Sequence, residues 1–299
     1  MAAPNPDAID RDATAEAFNA WWTRGIVTAG EGRWLDAAVQ SFCGYGTSVI
    51  GCDAEAAIER RLDPEETPDG RPGAAVMAFA FRSEALAAAL ANRLGQTLLT
   101  CPTVAVFDGL PDASKRGPLG DHLRYFGDGH EAEQAGVWRI PVMAGDVELP
   151  RTIGLARGVA GGNLVIGGGS RPRGPDPALR AAAAAADAIA RLPGVITPFP
   201  GGVCRSGSKA GSRYRGLIAS TNEAYCPTLR DQVETRLPEG IESVYEVIIN
   251  GENETAVRAS MRVGIQAAID AGAAWVSACE YGGKLGRVRI PLHELVDSP

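Results

Sequence analysis

Glu246 is the single carboxylate in the run SVYEVIING, residues 243–251, where Val244, Tyr245, Val247, Ile248 and Ile249 surround it. An ionised carboxylate loses several kcal/mol of hydration in low dielectric, so such a group raises its pKa and stays a neutral acid able to donate a hydrogen bond. A neutral acid can hold an oxyanion. Side chains alternate in a strand, so Glu246 shares a face with Val244 and Ile248 while Tyr245, Val247 and Ile249 point the other way. Both faces are apolar. The other reading of the pattern is an edge strand whose Glu reaches water or pairs with an Arg.

Three glycine-rich loops accompany it: TPFPGG at 197–202, SGSKAGSRYRG at 206–216 and EYGGKLG at 280–286. Such loops bring backbone amides close to a ligand, which makes Pro200, Gly201, Gly202, Ser206, Tyr281, Gly282 and Gly283 candidate contacts. From Arg205 to Arg215 there are four basic residues, Lys209 and Arg213 among them, and no acid. In a chain of net charge −7 that excess suits an anionic ligand or a solvated turn. The segment GVAGGN at 158–163 precedes its apolar run, the wrong order for a phosphate loop, and reads as a turn. His122, His130 and His293 are the only histidines and fall in no metal-binding spacing, so no metal is expected. No nucleophile elbow is present.

Four strand–helix–strand units must position these residues. The first runs from GIVTA through a helix with Leu35, Val39 and Phe42, ended by Gly44, to a strand TSVIG. The second joins AAVMAFAF, a helix capped by Ser83 with Leu86, Leu90 and Leu94 and stopped by Gly95, and TVAVF. NLVIGG, a helix with Asp176 as N-cap and Pro177 in its first turn, and VITPF make the third. The fourth is VYEVII, a helix with Val257, Met261, Ile265 and Ile269 ended by Gly272, then WVSAC and GRVRIPL. Two such units per half predict an α+β chain of two ferredoxin-like lobes related by duplication, 1–148 and 149–299. One doubly wound sheet is the rival.

Composition narrows the function. The 299 residues are 45% hydrophobic and 22% charged, enough for two cores. The negative balance argues against nucleic acid. No apolar run reaches the ~18 residues of a membrane span, and the N-terminus lacks the apolar core of a secretory signal. Six scattered cysteines read as reduced thiols, hence a cytoplasmic protein.

The blocks RW at 33–34, TSVI at 47–50, AEAAIER, TPDGRPG at 67–73 with Arg71, LTCPTVAVFDGLP, GVAGGN, VITPFPGG, SGSK, CPTLRD, VYEVIING and YGGKLG resemble the formylmethanofuran:tetrahydromethanopterin formyltransferase family. The similarity runs in one register from about Arg24 to Leu295. It implies formyl transfer between the amine of methanofuran and N5 of tetrahydromethanopterin, without prosthetic group or metal. It also implies a dimer or tetramer with the furan coenzyme in a cleft between subunits. By resemblance Glu246 is the essential Glu, protonated, stabilising a tetrahedral oxyanion; Arg71 joins the substrate contacts. The Ala, Arg and Gly-rich composition and the N-terminal Trp21–Trp22 extension are those of a bacterial, methylotroph-like member. That implies formaldehyde oxidation with a methanofuran-like carrier and hydrolase companion subunits. A non-catalytic scaffold of such a complex, or an unrelated acyltransferase or small-ligand binder, is the alternative.

Overall fold

The structure, a computed structural model, describes residues 8–44, 48, 50–169 and 176–297. The chain forms two compact units, Ala20–Gly158 and the combination of Met1–Asn19 with Val159–Pro299. The chain therefore changes unit inside two strands, where the sequence reading places a single cut after residue 148.

In the Ala20–Gly158 unit the elements are β1 (Thr14–Thr28, from residue 20), α1 (Gly32–Cys43), β2 (Glu55–Leu62), β3 (Gly73–Ala80), α2 (Ser83–Leu98) and β4 (Ala105–Asp108). β1 pairs antiparallel with β3, from Trp21 opposite Ala80 to Thr28 opposite Gly73, and with β4 on its other edge; β3 pairs with β2. The order β4–β1–β3–β2 with two crossover helices is the ferredoxin-like arrangement. Leu35, Val39 and Phe42 of α1 and Leu86, Leu90 and Leu94 of α2 bury on Val27, Val76, Ala78 and Val106. That burial, not propensity, holds helices of this length. An insertion follows: β5 (Lys115–Pro118), α3 (Gly120–Leu123), then a meander of β6 (Ala132–Gln134), β7 (Val137–Val142) and β8 (Gly145–Pro150).

Local expectations need correction here. Of the expected strand TSVIG, Thr47 and Val49 lie outside the described residues, and Ile50 and Gly51 form a turn. The strand comes later, as β2, where a bulge between Ile58 and Arg60 breaks the alternation and turns Glu59 inward to the Arg24 guanidinium. Ser83 is the first helical residue and not the cap. Nor does Gly95 stop α2, which runs on to Leu98; a Cβ at Gly95 would meet Leu123 Cδ2 at 2.9 Å, so close packing accounts for the glycine.

The other unit repeats the plan. β9 (Thr152–Gly168, from residue 159), α4 (Pro177–Ile189), β10 (Val195–Ile196), two paired two-residue strands β11 (Lys209–Ala210) and β12 (Ala219–Ser220), β13 (Ser243–Gly251), α5 (Glu254–Asp270), β14 (Trp275–Ser277), β15 (Val288–Pro291) and α6 (Leu292–Asp297) follow in order. All pairs are antiparallel, in the order β14–β9–β13–β10. Asp176 caps α4 by accepting from the amides of Ala178 and Leu179, and Asn253 caps α5 through Ala256. GVAGGN is not a turn: it lies inside β9, and Gly161, at φ +83°, makes an irregularity there instead. The start of β1 belongs to this unit, with Thr14–Ala17 opposite Pro291–Val288 of β15. The 46 residues between β10 and β13, 197–242, form the long insertion on which the site depends.

Candidate active site

Glu246 sits in the middle of β13, opposite Val165 of β9. On its other side Cys204 makes a two-way bridge, its amide donating to the Glu246 carbonyl at 2.7 Å and its carbonyl accepting from the Glu246 amide at 3.0 Å. β13 is thus covered on both edges at this point, which removes the edge-strand reading. Tyr245, Val247 and Ile249 face the α4 and α5 core, while Val244 joins Val165, Leu237, Ile241, Trp275 and Cys279 on the Glu246 face. Only 6% of Glu246 is exposed, and among the described residues no cation pairs with it. Its side-chain contact is the Tyr281 hydroxyl, which donates to Oε1 at 3.4 Å.

Burial pushes the Glu246 carboxyl up to about 7, against a small lowering by the Tyr281 hydrogen bond. The neighbours are proton donors too. Burial pushes Tyr225 up to about 12 and raises the Tyr281 phenol and the Cys279 thiol still further, so all three hold their protons at neutral pH. Tyr225 and Cys279, with Cys204, Arg205 and Ser206, line a cavity of about 170 Å³ against Glu246. A second cavity of about 480 Å³ adjoins it through Asn222 and Tyr225, with Lys209, Arg213, Tyr281 and Lys284 in its wall. A small neutral reacting group fits the first cavity, and a polar, partly anionic extension fits the second.

The predicted site residues divide by position. Ser206 lines the small cavity, Lys209 and Arg213 the larger, and Tyr281 reaches Glu246. Pro200, Gly201 and Gly202 form a short 3-10 turn that delivers the chain to Cys204, so they shape the site without lining either cavity. Gly282 and Gly283, both at positive φ, carry the turn after Tyr281. Lys209 spends its charge on an ion pair with Glu223, a carboxylate 14 positions away that the count of basic residues ignored. Arg71 lies in the other unit, paired with Asp69 and donating to the Thr103 carbonyl, in the wall of a cavity of about 1060 Å³ there. Among the described residues no group of three or more His, Cys, Asp and Glu could hold a metal ion, and no helix is long and apolar enough to cross a membrane.

Sequence reasoning missed Tyr225, Cys279, Asn163 and Glu16. Asn163, fully buried, donates to the Cys279 carbonyl at 3.2 Å and accepts from the Cys279 amide at 2.6 Å. Glu16 is also fully buried and accepts from the amides of Tyr281, Gly283, Leu285 and Gly286. Burial alone would raise its pKa, but those four amides outweigh it and hold the carboxyl below the usual range. The available signal was a polar residue inside a strand-forming run.

The protonation of Glu246 predicts a measurable stability effect. Its folded pKa is raised, so ionisation costs the folded state nothing below about pH 4, progressively more up to about 7, and the full amount above. Glu246→Gln lacks this cost. It should be more stable than wild type by on the order of 3 kcal/mol near pH 8.5, with the gain vanishing near pH 4. Urea melts at the two pH values test this; an equal difference at both would mean that the carboxyl is not held neutral.

Comparison with known proteins decides the family. The profile described as "Formylmethanofuran-tetrahydromethanopterin formyltransferase" matches residues 7–142 and that described as "FTR, proximal lobe" matches 145–295. The chain belongs to the formylmethanofuran–tetrahydromethanopterin formyltransferase family. A formyltransferase of this name from Methylococcus capsulatus is 48% identical over 94% of this chain and 96% of its own. The solved formyltransferase of Methanosarcina barkeri superposes with a TM-score of 0.86 at 46% identity, covering 96% of this chain and 97% of that one. The solved formyltransferase/hydrolase complex (FhcABCD) of Methylorubrum extorquens with methylofuran gives 0.89 at 40%, covering 96% of each chain. This formyltransferase family is what the motif blocks implied, and both expected features of the fold, α+β class and two ferredoxin-like lobes, hold in it.

Proposed function

We propose that the chain transfers a formyl group between N5 of tetrahydromethanopterin and the amine of methanofuran or a related carrier, with neutral Glu246 stabilising the tetrahedral oxyanion. The observation that carries this reading is a buried carboxyl in no ion pair among the described residues, facing a cavity that the proton donors Ser206, Tyr225 and Cys279 line beside Arg205. Exchange of a formyl group between two nitrogens is amide exchange. The incoming amine attacks the formyl carbon, the carbonyl electrons move to oxygen, and collapse expels the second nitrogen, which takes the proton given up by the first. The barrier lies in the charge built on that oxygen. With Tyr281 donating to Glu246 Oε1, the second carboxyl oxygen is left to carry the proton toward the oxyanion. One such donor is worth ~100- to 1000-fold in rate, and holding two large coenzymes in line supplies much of the remainder.

The test is an incubation of the purified chain alone with formylated carrier and pterin, in both directions, following the pterin absorbance. Turnover supports a catalyst; none, with both coenzymes shown to bind, favours a scaffold. Two further features belong to the same proposal. The chain works with hydrolase companion subunits, in line with the Methylorubrum formyltransferase/hydrolase complex, and forms a homo-oligomer, as the family resemblance implies; its six free thiols accord with a reducing cytoplasm. Light scattering of a fully active preparation that stayed monomeric would count against the oligomer.

The larger cavity makes its own prediction. Arg213, in its wall and exposed, should meet acidic groups of a coenzyme tail. Arg213→Ala is expected to raise KM several-fold at low ionic strength with kcat nearly constant, and the increase should shrink in salt. An unchanged KM at low salt assigns Arg213 to solvent.

A further inference from the structure

Residues 281–286 leave β14 and return toward β15 as a loop with little regular hydrogen bonding of its own, yet four of its amides converge on one point. Tyr281 and Gly283 donate to Glu16 Oε2 at 2.8 Å each; Leu285 and Gly286 donate to Oε1 at 2.6 and 3.0 Å. The Glu16 amide donates in turn to the Cys279 carbonyl at 3.0 Å, so the strand grips the segment before the loop as well. Arg289, opposite Glu16 in the ladder, stands 3.6 Å from Oε2 and completes the set of partners. A carboxylate with no exposure and this many donors is expensive to build unless a single loop geometry is required. The Tyr281 hydroxyl is what that geometry delivers, 3.4 Å from Glu246.

We propose that Glu16 is a positioning residue for the Glu246 site: by gathering the amides of 281–286 it fixes the Tyr281 phenol on the acid. This rests on the reading of Glu246 as the oxyanion donor. The Tyr281 hydrogen bond opposes protonation of Glu246. A loop released from Glu16 therefore shifts the acid's titration upward. The groups around Glu246 are Tyr281 and Cys279 from this segment and Cys204, Arg205, Tyr225 and Cys226 from the insertion, while Tyr245 of its own strand points to the other face and donates to Asp176. Arg205 is the charged group among them, and Glu16 itself acts only through the loop.

The experiment is a double-mutant cycle of Glu16→Gln and Tyr281→Phe, read by kcat, KM and the Glu246 titration followed by carboxyl carbon-13 NMR. Each single variant should lower kcat on the order of 10- to 100-fold with a smaller change in KM, and move the titration upward by the same amount. The double variant should be no worse than either single one. If Glu16→Gln folds poorly, Gly286→Ala replaces it: a Cβ there would meet the Ala17 carbonyl at 2.1 Å and Phe18 Cα at 2.6 Å, which lifts the loop while leaving Glu16 intact. Multiplying effects, or a titration that stays at its wild-type midpoint in both loop-releasing variants, overturns the positioning role. The titration does not depend on turnover, so an active Glu246→Ala would sink the catalytic reading while leaving this coupling measurable.

Discussion

Glu246→Ala is expected to lose about 100- to 1000-fold in kcat while folding normally, because it removes the donor from the charge built in the transition state. Glu246→Gln should retain clearly more activity than Ala, since an amide can still donate from nearly the same position. Glu246→Asp should be poor, because one methylene less on a strand bonded along both edges withdraws the donor by about 1 Å. The pH profile carries the sign of the mechanism. The active form is protonated, and burial places its pKa at about 7, so wild-type activity falls on the alkaline side as the carboxyl ionises. Gln has nothing to ionise, and that limb should disappear. A Gln variant as inactive as Ala, or one that keeps the limb, would require a charged Glu246 instead.

Glu246 was legible because a lone carboxylate in an apolar strand is a local anomaly, and the helices were legible because their apolar spacing is local too. Glu16 was not. It stands in TAEAFNA, where nothing nearby shows that its partners lie 265 or more positions downstream. Asn163 was hidden in a glycine-rich stretch read as a turn. Its glycines serve an irregular strand, and only the pairing with β13 shows this. β2 escaped because its bulge destroys the alternation by which strands are recognised. The basic segment was overvalued for a related reason: the acid that neutralises Lys209 arrives from the far side of a hairpin.

Arg93→Ala should produce the largest loss of stability, about 3–5 kcal/mol. The guanidinium is buried and donates to the Phe42 and Cys43 carbonyls at 2.8 Å each, to Ala54 at 2.9 Å and to Asp53 through Nη2 and Nε. The first two are end carbonyls of α1, which have no partner within their helix. One side chain thus closes α1, fastens the turn before β2 and binds both to α2. Arg93→Met keeps the bulk and loses every donor, so it should fall nearly as far as Ala. Chemical denaturation with Met close to wild type would show that packing, and not the hydrogen bonds, holds this corner.

The passage of β1 from one unit to the other governs the order in which the protein can be completed. During synthesis residues 8–19 leave the ribosome more than 250 positions before their partners Val276, Cys279, the 281–286 amides and β15. The Ala20–Gly158 unit has all its strands once residue 158 is out, and domains fold as their residues emerge. The other unit must hold Thr14–Ala17 apart from β15 until that strand is made, then close contacts of very long sequence separation, which are the slow ones. Synthesis interrupted between residues 158 and 281 therefore leaves a chain with every strand of its first lobe and no Tyr281 to place on Glu246.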